Sequence, residues 1–529
     1  MDKKEKDDDK EYKLGEILVN EVPDLKNIEG NEKSKKKKII IIVIIIISVL
    51  ILISIGIILY FTLRKENNNS NGNLEPSDST SDKDLEPSDS TSDKDLEPSD
   101  STTDKEEEED DDPKKIPIAE KYYFDPNEEI KSYTINGENI KLGIISDFQL
   151  DLRNEDYKRN VRETLNKMKN ENVDVIIMAG DIVDNGYPEE YVLYKNILNS
   201  VYTNENEKPL IFEIMGNHEY YTTKYSVSGY YLKKNIQLFK DNFGKFPFYH
   251  VKINGFHFIF WSMQNHDTRE QYTIHTTWLQ KHLDIAENDL QQKGDPIFVV
   301  THAPPKKTVY GSDEDSGLVA TFNLLKNYEN AFCISGHSHR SLRNEKSIWQ
   351  GEFTGINTQS LSYMALSRKF ENTSDIVENS TDSYMGYIAT LNHQKMEIQR
   401  YFFHVDKQID PWVVSFPLQK DNFNFTDANR KMMFGVPRLW NHTIDTTEIN
   451  NGYQIKYYQA WHDLAIHYYI FKYVTKNKQN KELLIYGNYY LYNYISNSTE
   501  PRYFTVRDID ITEKYSLSAV DFFQNKIDY

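Results

Sequence analysis

Leu210-Ile211-Phe212-Glu213-Ile214-Met215 runs directly into Gly216-Asn217-His218-Glu219, so an amide, an imidazole and a carboxylate occupy three consecutive positions after an apolar run. The run reads as a buried parallel strand, and polar groups at the carboxyl end of such a strand lie in the crevice where open α/β sheets bind ligands. Four further runs end the same way, in Asp147-Phe148-Gln149, Gly180-Asp181-Ile182-Val183-Asp184, Thr301-His302-Ala303-Pro304-Pro305 and Gly336-His337-Ser338-His339. Five strand ends carrying only Asp, Asn, Gln and His as their chemistry supply the mixed nitrogen and oxygen donors that borderline divalent metals prefer.

Working outward, strands are expected at Leu142 to Ser146, Val173 to Ala179, Leu210 to Met215, Phe256 to Trp261, Ile297 to Thr301 and Phe332 to Ser335. Helical periodicity falls between several of them, at Tyr157 to Asn170 and Thr277 to Gln292. Tyr387 to Leu391 and Met396 to Phe403 read as further strands of the same layered α/β domain, placed at residues 114–407. Residues 408–435 read as a linker. Beyond it, at 436–529, the texture changes to short Tyr-rich strands, Tyr453 to Tyr458, Ile466 to Tyr473, Leu483 to Tyr494 and Lys514 to Val520, whose spacing fits a small all-β sandwich. The ending Tyr515-Ser516-Leu517-Ser518-Ala519-Val520-Asp521, with Trp461 upstream as core, resembles a fibronectin type III or immunoglobulin-like module.

At 529 residues the chain exceeds what one core organises. Residues 1–38 are rich in lysine and acids and read as a disordered tail, cytoplasmic by the charge argument below. Ile39 to Leu63 carries no charge and spans roughly 37 Å as a helix, enough to cross a bilayer. Lys35 to Lys38 before it, against Arg64 and Lys65 after it, predict a cytoplasmic N-terminus and everything later on the lumenal or extracellular side, a single-pass type II arrangement. Residues 64–113 form an acidic low-complexity stalk, in which Leu-Glu-Pro-Ser-Asp-Ser-Thr-Ser-Asp-Lys-Asp repeats from Leu74, Leu85 and, slightly changed, Leu96. So polar a unit has no face to stack and extends by self-repulsion. Glu66 to Asp112 hold nineteen acidic residues against three lysines, sixteen of the twenty net negative charges. The rest is nearly neutral, and no basic footprint for nucleic acid exists. Sequons at Asn372, Asn379, Asn424, Asn441 and Asn497 suit a glycosylated ectodomain. The single cysteine, Cys333, lies inside Ala331-Phe332-Cys333-Ile334 and reads as a core residue.

The five ordered motifs resemble those of the calcineurin-like metallophosphoesterase superfamily, D-x-H, G-D-x-x-D, G-N-H-[ED], a strand-end His and G-H-x-H, over roughly Lys141 to Phe403. The resemblance implies an α/β/β/α sandwich holding two divalent ions, Mn, Zn or Fe. Asp147, Gln149, Asp181 and His339 would hold one, and Asp181, Asn217, His302 and His337 the other, with Asp181 bridging. Such a pair clamps a phosphoryl group and lowers the pKa of a bound water to supply hydroxide. His218 would serve the leaving-group oxygen as general acid or charge stabiliser, oriented by Glu219 or Asp184. Gln149 stands where the family has His, and an amide oxygen is the weaker ligand. Asp184 stands where purple acid phosphatases have a metal-binding Tyr, so their coloured iron site is not expected.

His257, His266, His275 and His282 lie near the lid between the third and fourth motifs and are candidates for substrate contact. Tyr220-Tyr221, Tyr230-Tyr231 and Arg340 are further candidates for the pocket wall. The expected function is a membrane-anchored ectoenzyme hydrolysing a phosphodiester or phosphomonoester, on a small molecule or a lipid head group. The alternative is a surface adhesion or recognition protein whose phosphoesterase domain has lost activity, with Gln149 as the first step of decay.

Overall fold

The computed structural model describes residues 120–223, 229–265, 275–313, 317–365, 380–463, 465–487 and 501–529. The tail, apolar span and stalk expected before residue 114 lie outside this set. Among the described residues no helix is long and apolar enough to cross a membrane.

Two mixed sheets build the central domain. The first orders β1 (Lys131–Tyr133), β5 (Phe248–Ile253), β6 (Phe256–Trp261), β7 (Ile297–Thr301), β8 (Ala331–Ser335), β10 (Thr354–Asn357) and β9 (Ile348–Gln350). The second orders β13 (Lys407–Ser415), β12 (Lys395–Phe402), β11 (Met385–Leu391), β2 (Ile140–Ile145), β3 (Val175–Met178) and β4 (Leu210–Glu213). Strands β2, β3 and β4 run parallel, as do β6, β7, β8 and β10. Their residues are apolar on both faces, as strands covered on both sides require.

The alternation of side chains fixes the layers. Val175 and Ile177 of β3 point inward with Leu142, Phe212, Phe258, Phe298 and Ile334, forming one core between the sheets. Ile176 and Met178 point the other way, onto Val161 and Leu165 of helix Glu155–Asn170 and Tyr194 and Ile197 of helix Pro188–Val201. On the far side, Ile259, Val299 and Cys333 pack against Phe239 of helix Gly229–Phe243 and Leu279 and Leu283 of helix Thr276–Asn288. The domain is therefore a four-layer α/β/β/α sandwich, and Cys333 is a fully buried core residue.

Residues 408–435 are not a plain connection. Lys407–Ser415 pairs with β12 through an alternation that buries Trp412 and Val414, and Asp427–Phe434 is a helix capped by the Thr426 hydroxyl on the Asn429 N–H. That helix is fastened by Arg430, whose guanidinium meets the buried carboxylate of Glu345. Arg400 donates to the same carboxylate at 2.8 Å, and so does the Trp412 indole N–H at 3.0 Å.

The C-terminal residues form two all-β sheets. One orders β14 (Ile444–Ile449), β15 (Gly452–Tyr458) and β18 (Pro501–Val506); the other β17 (Asn480–Tyr486), β16 (Tyr468–Val474), β19 (Ser516–Val520) and β20 (Lys526–Asp528). Tyr457, Tyr469, Phe471, Phe504 and Leu517 fill the space between them. Trp461 is not in that core: it is 36% exposed, with the Arg438 guanidinium 4.4 Å from its ring centroid. An immunoglobulin-type assignment thus loses its tryptophan, and what stands is an all-β C-terminal region.

Candidate metal centre

The five motif-bearing loops leave the carboxyl ends of β2, β3 and β4 in one sheet and of β7 and β8 in the other, so the site forms where the two sheets' strand ends face each other. Close approach is built into the loops. A Cβ on Gly216 would stand 2.1 Å from Asp181 Oδ1, and one on Gly336 would stand 2.6 Å from Asp147 Oδ2. Five of the candidate residues adopt left-handed backbone: Asp147 (φ 55°), Gln149 (45°), Asp181 (53°), His337 (66°) and His339 (53°). That region is unfavourable for side chains other than Gly, Asn and Asp, and its concentration at one point marks a site where geometry outranks local stability.

Asp147 and Asp181 are fully buried carboxylates. Asp147 accepts the His337 backbone N–H at 2.9 Å and lies 3.0 Å from His339 Nε2. Asp181 Oδ1 accepts the His218 N–H at 2.9 Å. Its Oδ2 is buried without a hydrogen bond, 3.1 Å from His302 Nε2. His302 donates Nδ1–H to the Ala179 carbonyl at 2.7 Å and His339 donates Nδ1–H to the Tyr363 carbonyl at 3.1 Å. Each therefore presents a bare Nε2 to the cluster, the arrangement a metal-ligating imidazole needs. His337 Nδ1 stands 3.2 Å from His302 Nε2. Asn217 turns its oxygen inward, 3.1 Å from His302 Nε2, and anchors its amide N–H on the Tyr221 hydroxyl at 2.8 Å.

Two groups of donors result, Asp181 with His302 and His337, and Asp147 with Asp181 and His339. An orphaned carboxylate oxygen facing bare imidazole nitrogens fits a pair of divalent cations. Electrostatics agree. Burial opposes charge on Asp147 and Asp181, yet the imidazoles around them hold both carboxyls below the ordinary range. Burial favours neutral His302, but without a cation Asp181 and Asp147 push it up to about 9, the proton on Nε2 then answering the negative field that a bound cation would neutralise.

His218 meets burial in the same way, and Asp181 and Asp184 push it up to about 9. Its Nδ1 lies 2.7 Å from the Asp184 carbonyl and 3.2 Å from the Asp184 carboxylate, leaving Nε2 toward the cluster. Asp184 is thus placed to orient His218. Glu219 is turned elsewhere: its buried carboxylate accepts the backbone N–H groups of Gly216, Asp181, Ile182 and Val183 and so knits two ligand loops together. Gln149 lies within the cluster, with Nε2 3.1 Å from His218 Nε2 and its oxygen accepting the Ser362 hydroxyl at 2.9 Å.

A sixth loop was not singled out in the sequence. Thr358 to Tyr363 follows β10; Ser360 Oγ donates to the Asp147 carbonyl at 2.9 Å, and the Tyr363 ring lies 4.3 Å from that of His339. Its signal is the same strand-then-polar pattern, Asn357-Thr358-Gln359-Ser360, but without a carboxylate or imidazole.

Three of the four lid histidines bond or pack within the fold. His257 is fully buried and donates Nε2–H toward the Asp289 carbonyl at 3.2 Å, which makes its Nδ1 an acceptor for His250 Nε2 at 2.9 Å; His250 Nδ1 in turn accepts from His282 Nδ1 at 3.0 Å. His275 packs on Tyr123 and Phe248, while His266 lies outside the described residues. Tyr220 is core, with its hydroxyl on the Met263 carbonyl, whereas the Tyr221 ring lies 4.1 Å from that of His218. Nothing is described of the Tyr230 and Tyr231 side chains. Arg340 is 7% exposed and lies over the Tyr310 ring.

The histidine chain has a pH signature. Burial, its largest cause, holds His282 down to about 4 and His250 to about 2, against roughly 6.5 in the unfolded chain. Its stability is present above pH 6.5 and lost as pH falls toward 4, because the unfolded state takes up protons that the folded state refuses. In thermal melts between pH 7 and 5, a His282→Gln variant is expected to lose stability less steeply than wild type, the slopes differing by up to one proton. Parallel slopes would remove the chain from the account.

Residues 140–341 match the family model described as Calcineurin-like phosphoesterase, and the chain carries a domain of that family there. A comparison with curated proteins finds no match. Among solved structures the chain is similar to GAP50, the anchor in the inner membrane complex of Plasmodium, at 18% identity and TM-score 0.37, covering 54% of this chain and 93% of that one. It is similar to a dimetal phosphatase from Danio rerio at 14% identity and TM-score 0.34, covering 52% and 99%. Purple acid phosphatase PPD1 from yellow lupin seeds gives 12% identity and TM-score 0.38, covering 52% and 54%.

Proposed function

We propose that the chain is a phosphoester hydrolase working with two divalent cations, carried on the lumenal or extracellular side of a membrane by an anchor at residues 39–63. The observation that carries this reading is the convergence of Asp147, Asp181, Asn217, His302, His337 and His339 around a buried, unpartnered Asp181 oxygen. Bound there, a cation pair supplies charge to the phosphoryl oxygens and acidity to the attacking water. The chain's own groups do the rest. His218, held through Nδ1 by Asp184, keeps a proton at Nε2 for the leaving-group oxygen. Tyr221 and Tyr363 flank the imidazoles as walls, and Glu219 holds the Asp181 and Asn217 loops at fixed separation. The substrate is a small phosphoester or a lipid head group, and the C-terminal sheets act as a brace, seated through contacts such as Asn525 on the Lys431 carbonyl.

The purified full chain is expected to hydrolyse bis-p-nitrophenyl or p-nitrophenyl phosphate with Mn²⁺, Zn²⁺ or Fe²⁺, to stop with chelator, and to lose about a hundredfold or more in kcat in His218→Ala. Membrane side is read separately, from N-glycan occupancy at the exposed Asn424. One observation favours the second reading, an inactive recognition protein: the Gln149 oxygen is already occupied by Ser362. A folded chain with neither turnover nor cation binding would establish it.

A further inference from the structure

The two amides of the site face opposite ways. Asn217 points its oxygen at the cluster and ties its nitrogen to Tyr221, as a ligand should. Gln149 ties its oxygen to Ser362 and points its nitrogen at His218 Nε2, 3.1 Å away, and His339 Nε2, 3.4 Å away.

The surrounding hydroxyls support that orientation. Ser360 Oγ accepts the backbone N–H groups of Ser362 and Tyr363, at 2.9 and 3.2 Å, which fills its lone pairs, and gives its own proton to the Asp147 carbonyl at 2.9 Å, so it takes no proton from Ser362 Oγ, 2.7 Å away. Ser362 then has its own proton free for the Gln149 oxygen. The oxygen therefore already has a donor from the protein.

We infer that Gln149 is tied through its oxygen to Ser362 and is not a metal ligand, so that this chain holds its two cations unequally. The tight position is Asp181, Asn217, His302 and His337, with four donors. The loose one is Asp147, Asp181 and His339, with three, two of them carboxylates, a set that suits a hard ion such as Mn²⁺. The inference rests on the proposed cation site and deepens it: the second cation would arrive only at higher concentration of free metal, making the site's occupancy, and any phosphoryl clamp, a function of supply.

The test is metal binding, independent of turnover. The full chain, stripped by chelator and confirmed folded by circular dichroism, is titrated with Mn²⁺ by calorimetry, and electron paramagnetic resonance separates isolated Mn²⁺ from coupled pairs. Wild type is expected to bind in two steps, the second at least about tenfold weaker. Gln149→Ala should leave the weaker step within about twofold, and Gln149→His should strengthen it about tenfold or more and raise the coupled-pair signal at equal metal. Two equal steps in wild type, or a tenfold loss in Gln149→Ala, would overturn the inference while leaving the phosphoesterase reading standing. No step at all in folded wild type would overturn both.

Discussion

Phosphoester hydrolysis by the Asp181→Asn variant is expected to fall about a thousandfold in kcat/KM, with Mn²⁺ binding weakened at both positions rather than one. Asp181 alone belongs to both donor groups. Its Oδ1 accepts the His218 backbone N–H, so the buried Oδ2 is the atom that would be left to hold a cation and supply its charge. Asparagine keeps the shape and one acceptor but removes the charge and places an N–H₂ group on one side of the cluster. Because the loop is also held by Glu219 and by the Gln149 N–H on the Asp181 carbonyl at 2.9 Å, the fold should survive and the loss be chemical. Steady-state kinetics beside bound-metal counts check this. A variant retaining more than a tenth of wild-type kcat/KM would remove Asp181 from the centre of the site.

The largest stability effect is expected from Glu345→Leu, at about 3–5 kcal/mol, read as a shift of the urea midpoint at unchanged slope. The Glu345 carboxylate is shared by Arg400 and Arg430, both nearly fully buried, and by the Trp412 indole. Arg400 keeps other acceptors, the Leu342 carbonyl and the Asp410 carbonyl. Arg430 has aromatic rings around it, Phe425, Phe434 and Phe523, but its ion pair is with Glu345. Removing the carboxylate leaves two buried cations without their anion. A double variant, Glu345→Leu with Arg430→Leu, should recover part of the loss, since the helix Asp427–Phe434 then packs without an uncompensated charge. A single-variant loss below about 1 kcal/mol would show that the triad does not hold this helix.

The strands that carry the site were legible because they are short apolar runs ending in polar turns. Phe256–Trp261 and Ile297–Thr301 lie where the pattern puts them, and β2, β3, β4 and β8 differ by one or two residues at their ends. Burial on both faces makes such runs hard to mistake. What the pattern missed is what alternation or charge cannot announce. Lys407–Ser415 reads as connection because it alternates charged and apolar residues at an edge, and Pro411 interrupts it, yet Trp412 and Val414 face the core. At the site, residue type and order brought the donor residues together, but not their orientation. Nothing in one-dimensional spacing tells Asn217, oxygen inward, from Gln149, oxygen outward; that depends on Tyr221 in one case and on Ser362, more than two hundred residues away in sequence, in the other. Glu219 shows the same limit, since its place beside His218 in the chain suggested a partnership that its backbone bonds do not form.

The left-handed backbone at Asp147, Gln149, Asp181, His337 and His339 has a cost in stability. Each such residue holds the fold back by about 1–2 kcal/mol relative to glycine at the same position, a sum comparable with the whole margin by which a domain stays folded. Stability and binding are thus set against each other at these five points: glycine would relax the backbone and remove the side chain that faces the cluster.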